Sequence, residues 1–349
     1  MSPPLFAIVL LLMGIVTSAA AQSAPGLIDA LVASGASQFA EFIQSDSEVL
    51  QLYLSGRVGT VFAPSDSSLS NETLRIRDLS PSQRRAAAFQ SARGLTNLES
   101  ASSSLPGSTL ETNDEAPLLD NRGQRVVFDA RPLNVTSPTK RFISPSLSRR
   151  QSNGTGSSLL RIASGLGKIT NVIKGDIPYD GGIIHLTDSY FTIPESLSST
   201  SEATGQTAFT NLLSSSNTTS TLDTTHSVTV FLPSNAAFAT ANSTLSASQL
   251  VSDHVVAGTV SYLPDLKDGS VLTTQRGETL SISVRGGRYY VNGGLITQAN
   301  LVLENGVAHV VNQVLKPTPA APVKGAASSH LMSFAGLFGV VCSGLMAFV

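Results

Sequence analysis

The stretch Thr60-Val61-Phe62-Ala63-Pro64-Ser65-Asp66 returns later in the chain as Thr229-Val230-Phe231-Leu232-Pro233-Ser234-Asn235. Each copy reads as a short buried strand of β-branched and aromatic residues that a proline stops. The polar residue behind the proline is a natural helix N-cap, so Ser65 or Asp66 is expected to cap the first helix and Asn235 the second. A repeat of this kind within 349 residues predicts two copies of one domain, each long enough to bury a core.

Each copy has a downstream companion. Gly181-Gly182-Ile183-Ile184-His185-Leu186-Thr187-Asp188 follows the first, and Gly306-Val307-Ala308-His309-Val310-Val311-Asn312 the second. Both read as a turn glycine and an apolar strand interrupted by one histidine, running toward a proline (Pro194, Pro317). This pairing resembles the fasciclin-like domain family, whose hallmarks are such a strand–Pro–helix segment and such a Gly–His strand. The resemblance covers Pro25–Pro194 and Pro194–Pro317. It implies an α+β fold of two tandem fasciclin-like domains, each a β-wedge or sandwich with packed helices. Its hallmark positions are Thr60, Phe62, Pro64, Asp66 and His185 in the first copy, and Thr229, Phe231, Pro233, Asn235, His254 and His309 in the second. A family Tyr-His pair at a helix end is kept only as Asp253-His254; the first copy offers Ala88 or Gln90 in place of the histidine, depending on the direction of counting.

The expected layout is a signal peptide over 1–21, domain one over 25–194, a Ser/Thr-rich linker over 195–206 and domain two over 207–317. A stalk and anchor-attachment region over 318–330 and an apolar tail over 331–349 follow. Apolar spacing predicts helices over 26–44, with a break at Gly35, and over 45–54. Phe62 and His185 lie 123 positions apart against 78 for Phe231 and His309. The surplus falls most readily at about 130–158, a Ser-, Pro-, Asn- and Arg-rich stretch expected to form an exposed, disordered loop. It contains Arg149-Arg150, a candidate dibasic processing site.

The two ends bear on compartment. An apolar run over 5–16 leads to small residues and an expected cleavage after Ala21. The apolar tail, preceded by attachment candidates Gly325, Ala326, Ala327, Ser328 and Ser329, reads as a glycosylphosphatidylinositol (GPI) signal; the alternative is an ordinary C-terminal membrane helix. Cys342 is the only cysteine and lies in that tail, which excludes a disulfide framework, a thiol nucleophile and a zinc–thiolate site in the processed chain. The net charge of −2 argues against a nucleic-acid partner.

Sequons stand at Asn71, Asn134, Asn153, Asn217 and Asn242. His185 and His309 occupy equivalent strands, which predicts a shared structural task, a hydrogen bond to a backbone carbonyl. The alternative is pH sensing at the surface. No Gly-x-Ser-x-Gly elbow or phosphate-binding glycine loop is found, and the Asp66-to-Asn235 exchange suits a cap better than a catalytic carboxylate. No cofactor and no metal are expected. With the resemblance, these readings predict a non-enzymatic, lipid-anchored glycoprotein at the cell surface or wall. Its expected partners are surface, matrix or wall glycans and proteins, and the outer membrane leaflet. A carbohydrate-binding module and a wall-modifying enzyme are the alternatives.

Overall fold

The computed structural model describes residues 24–69, 81–103, 107–129, 160–241 and 244–319. The first half runs α1 (Leu27–Ser34), α2 (Ser37–Gln44), α3 (Ser47–Leu54), β1 (Thr60–Pro64), α4 (Asp66–Leu69), α5 (Pro81–Phe89), β2 (Ser91–Ala92) and α6 (Leu98–Ser103). Strands β3 (Thr109–Ala116), β4 (Arg122–Asp129), β5 (Leu160–Ala163), β6 (Ile169–Tyr179) and β7 (Gly182–Thr187) complete it. The second half repeats this order, with a 3-10 turn at Leu263–Asp265 in place of α6, as α7 (Leu197–Ala203), α8 (Thr207–Ser215), α9 (Thr219–Thr224), β8 (Val228–Pro233), α10 (Asn235–Thr240), α11 (Ala247–Asp253) and β9 (Val255–Ala257). It ends with β10 (Val271–Thr273), β11 (Thr279–Arg285), β12 (Arg288–Val291), β13 (Gly294–Leu303) and β14 (Gly306–Val311). The fold is α+β, with two seven-stranded sheets in the same cyclic strand order. The first closes into a barrel through the β2–β3 pair Ala92↔Thr112, and the second stays open between β9 and β10.

The repeated heptapeptide supplies one strand of the parallel pair in each sheet. β1 lies parallel to β7 with Phe62 opposite His185, and β8 lies parallel to β14 with Phe231 opposite His309. A parallel strand covered on both faces needs an unbroken apolar run, and β1 and β8 are buried at every position. Alternation then assigns the faces. Val61 and Ala63 pack against α1–α3 while Phe62 joins Phe89, Phe128 and Phe191 on the other side. Val230 and Leu232 pack with Phe209 and Leu213, and Phe231 with Leu280, Ile282 and Val291. The hallmark glycines allow this closeness. A Cβ on Gly182 would overlap the Gly59 carbonyl, and one on Gly306 the Val228 carbonyl.

The expected helix break at Gly35 is present, in the left-handed region at φ 92°. The stretch over 195–206 is a correction to the linker reading. It carries α7, whose Leu197 is fully buried in the second core and whose Thr200 and Ser201 are buried too. Ser196 caps α7 through Ser199 N, and Asp223 of α9 accepts from Ser198 N and Oγ. Short hydroxyl side chains let these helices approach closely, so a composition that resembles a linker builds a helix contact. Thr318 likewise remains docked, exchanging both backbone hydrogen bonds with Thr279, so the stalk expected from 318 onward does not leave the domain at that residue.

The halves are packed on each other. Val127 of β4 lies in one apolar cluster with Tyr262, Val302 and Val307, and Tyr262 is only 1% exposed. Gln124 Nε2 donates to Leu303 O (3.0 Å), Ser227 N to Leu118 O (3.0 Å), and Ser227 Oγ to Asp120 Oδ2 (2.9 Å). The Arg125 guanidinium sits 5.7 Å from the centre of the Tyr262 ring.

Residues 130–159 join β4 to β5, which pair up to Asp129↔Arg161. The equivalent strands β11 and β12 are joined by Gly286 and Gly287, both with positive φ, a two-residue hairpin turn. The expected insertion therefore falls at one hairpin connection, and the insertion itself lies outside the described residues.

Candidate functional site

The hallmark residues form the same hydrogen-bonded latch twice. Thr60 Oγ1 donates to Gly94 O (2.6 Å) and accepts from Thr96 N (2.9 Å); Thr229 Oγ1 donates to Thr259 O (2.8 Å) and accepts from Ser261 N (2.8 Å). Thr96 and Ser261 then turn their carbonyls to His185 Nε2 (2.7 Å) and His309 Nε2 (2.9 Å). On the other ring edge, Nδ1 accepts from the backbone N–H of Asp176 and of Asn300, 3.3 Å in each case. An accepting Nδ1 puts the proton on Nε2, which donates to the carbonyl. Asp176 and Asn300 reach this position from the left-handed region, at φ 56° and 60°. Their side-chain oxygens accept from Leu98 N and Leu263 N. Each imidazole stacks on the hallmark phenylalanine, at 5.4 Å for Phe62–His185 and 5.7 Å for Phe231–His309. Burial pushes His185 below the usual histidine range and His309 down to about 4. Both rings are neutral near pH 7 with both nitrogens committed to backbone, which leaves neither free to take a proton from a nucleophile.

The capping expectation holds for Ser65 in the first copy and needs correction in the second. Ser234, not Asn235, caps α10 by accepting from Ala237 N, and Ser65 Oγ accepts from Ser68 N. Asp66 and Asn235 reach across to the helical layer instead. The Asp66 carboxylate accepts from Ser37 N, Gln38 N and Ser37 Oγ at the start of α2, whose own leading residue, Ala36, has no capping group. Asn235 Oδ1 accepts from Ala208 N in α8, and its Nδ2 donates to Gly205 O and Thr207 Oγ1. Either side chain supplies the acceptor that a helix N-terminus lacks, which is why Asp and Asn exchange here. Burial works against the Asp66 charge, but the donors of Gln38 and Ser37 outweigh it and hold the carboxyl below its ordinary value.

His254 is matched by Gln90, which settles the two ways of counting. Phe231 N donates to His254 O and Phe62 N to Gln90 O. Leu315 N donates to His254 Nε2 (2.8 Å) as Phe191 N donates to Gln90 Oε1 (2.8 Å). His254 Nδ1 faces Leu250 O, and burial depresses this ring to about 4. The position before it is Phe89 in the first copy and Asp253 in the second.

Asp253 opens onto a cleft of about 760 Å³ between α10, α11, the turn after β10 and the segment around Leu315. Arg276 spans two carboxylates there, with Nη1 3.2 Å from Asp253 Oδ2 and Nη2 3.7 Å from Glu278 Oε1. Asp253 Oδ1 and Glu278 Oε2 are buried and without a hydrogen-bond partner. Leu245, Leu250, Leu315 and Pro317 supply apolar walls, and Asn292 and Gln313 amides. Burial raises the Asp253 carboxyl above its ordinary value, Arg276 opposing the shift and Glu278 adding to it. Residues 253, 276 and 278 carry no spacing motif. The sequence signal that could have found them is the aspartate standing where the family pattern has tyrosine.

Of the sequons, Asn217 is described: it is exposed in a turn at φ 55°. Asn71, Asn134, Asn153, Asn242, the Arg149-Arg150 pair, the cleavage position at Ala21 and the attachment candidates 325–329 lie outside the described residues. Among the described residues no group of three or more His, Cys, Asp or Glu could hold a metal ion, and no helix is long and apolar enough to cross a membrane.

Residues 204–317 match the Fasciclin domain family model, in agreement with the resemblance carried by the hallmarks. The chain is 38% identical over 177 residues to the Fasciclin-like arabinogalactan protein CTB11 of Cercospora beticola, covering 48% of this chain and 47% of that protein. It is 36% identical over 171 residues to a Fasciclin-like arabinogalactan protein of Arthroderma benhamiae, covering 47% of this chain and 40% of that protein. The chain thus spans less than half the length of these relatives. Among solved structures, the FAS1 domain pair of the insect cell adhesion molecule Fasciclin I aligns with 81% of this chain and 98% of that one, at 18% identity and a TM-score of 0.35.

Proposed function

We propose that this chain is a glycoprotein of the cell surface or wall that works by non-catalytic contact, tethered to the outer leaflet by a GPI lipid. The match of residues 204–317 to the Fasciclin domain carries the reading, and the relatives named as fasciclin-like arabinogalactan proteins support it. The latch geometry fits it as well, because the histidines most suited to acid–base work are spent on holding two loops to the sheets. Five sequons and the small-residue stretch 325–329 ahead of an apolar tail support glycosylation and anchoring. The two halves bury a common cluster around Tyr262, which supports their acting together in such contacts. A partner that meets both halves gains from the high effective concentration of the second contact.

The test is release from intact cells by a phosphatidylinositol-specific phospholipase, read by blot with and without N-glycosidase. The expected result is a released chain that also shrinks on deglycosylation. A chain that stays with the membrane, and whose C-terminal peptide by mass spectrometry still carries residues 331–349, overturns the lipid tether.

A further inference from the structure

The second repeat holds the first with a face that the first repeat also possesses. In the second, Val260 of the latch loop and the register partners Val302 and Val307 of β13 and β14 pack around Val127 of β4. The shared latch fixes the equivalent residues of the first repeat. Gly94 O and Thr96 N bind Thr60 as Thr259 O and Ser261 N bind Thr229, so Leu95 stands where Val260 does. Pro178 and Ile183 are register partners on β6 and β7, and Ile183 lies opposite Thr60 as Val307 lies opposite Thr229. They therefore stand where Val302 and Val307 do. All three positions are apolar again. Val302 and Val307 are fully buried, whereas Leu95 is 67% exposed, Pro178 is exposed and Ile183 half-buried. The fourth position changes from Tyr262 to Asn97, whose side chain accepts from Ser100 N at the start of α6.

The strand that such a face takes up is not repeated. Counting from the inward-facing Phe128 of β4 and Ile282 of β11, Val127 corresponds to the exposed Ser281 and Arg125 to Thr279. A second copy thus has its own β4 already covered and offers hydroxyls from β11, a poor match for three apolar side chains. A head-to-tail contact of that kind would also leave a free face at each end and grow into a filament. The surface of this chain that does match the open face is the same face on another copy, and such isologous pairing closes at two. We propose that the chain dimerises through its first repeat, Leu95, Pro178 and Ile183 of one copy packing on the same residues of a second copy about a two-fold axis. The dimer face lies apart from the anchor-attachment region, so dimerisation and the lipid tether can each fail while the other stands.

The experiment is sedimentation of the full chain as cells process it, held in mild detergent, over a concentration series. A monomer–dimer equilibrium is expected, with amide exchange over 94–97 slowing as the dimer fills. Leu95→Lys should weaken dimerisation about tenfold or more. Its thermal unfolding should stay that of the parent, because the side chain is exposed. Val271→Lys, at an apolar residue 57% exposed on β10, should leave dimerisation unchanged. A chain that is monomeric throughout overturns the proposal, as do assemblies that keep growing beyond two. A dimer that Leu95→Lys leaves intact overturns it as well.

Discussion

Acidification from pH 7 to pH 4 is expected to unfold the second repeat, and His254→Gln is expected to protect it. His254 and His309 are each held near 4 by burial, against about 6.5 when exposed. Below pH 6.5 the unfolded chain binds protons that the folded chain refuses, so stability falls as pH drops through the window from 6.5 to 4. Each depressed histidine contributes a loss of ~3 kcal/mol by the end of that window, a large share of the ~5–15 kcal/mol typical of a domain. Asp253, raised by burial, works in the opposite direction and offsets part of the loss. The first repeat has a single buried histidine in this network, His185, because Gln90 stands where His254 does. It also has Asp114, raised to about 6, which takes up a proton on folding and gains stability as pH falls through that value. Hydrogen exchange across a pH series should therefore show the second repeat opening at the higher pH. His254→Gln imitates the first repeat and should lower that opening point by roughly one pH unit. An unchanged opening point would show that the imidazole is not the titrating group.

Phe231→Ala should cost ~3–5 kcal/mol, since it empties a fully buried aromatic position in the second core. Phe231 is fully buried, packs with Leu280, Ile282 and Val291 and carries the stacked His309 ring. The midpoint of thermal unfolding should fall by about 10–20 °C for a domain of this size. The loss should also reach the first repeat, because Val127 of β4 is buried against Tyr262, Val302 and Val307 of the second. Calorimetry combined with hydrogen exchange checks both halves of the statement. If protection in β4 and β5 is unaffected while the second repeat melts, the shared cluster does not couple the repeats.

Much of the fold was legible because its fully buried strands are read from local pattern. A strand buried on both faces must be continuously apolar, so the two heptapeptides and the two Gly–His strands stood out, and the parallel pairing put Phe62 against His185 and Phe231 against His309. The helix break at Gly35 was legible for a similar reason, since it depends on a single residue. Long-range partners were not. Asp66 and Asn235 sit where a local cap would, yet their acceptors serve helices some 28 residues upstream. The α7 segment reads as a linker because serine and threonine are scored by composition, whereas their burial is decided by what packs over them. The cleft residues Asp253, Arg276 and Glu278 come together only through the docking of α11 on the sheet.

The most direct measurement for the central claim is adhesion under shear by cells that lack the chain, with the full-length chain restored or with a chain deleted over 204–317. Products released from wall glycans by the purified chain are assayed in parallel. The account predicts that adhesion returns with the full chain, fails with the deletion even when the protein reaches the surface, and is accompanied by no glycan turnover. Adhesion indifferent to the chain, or wall glycan cleaved by it, would contradict a protein that acts by contact alone.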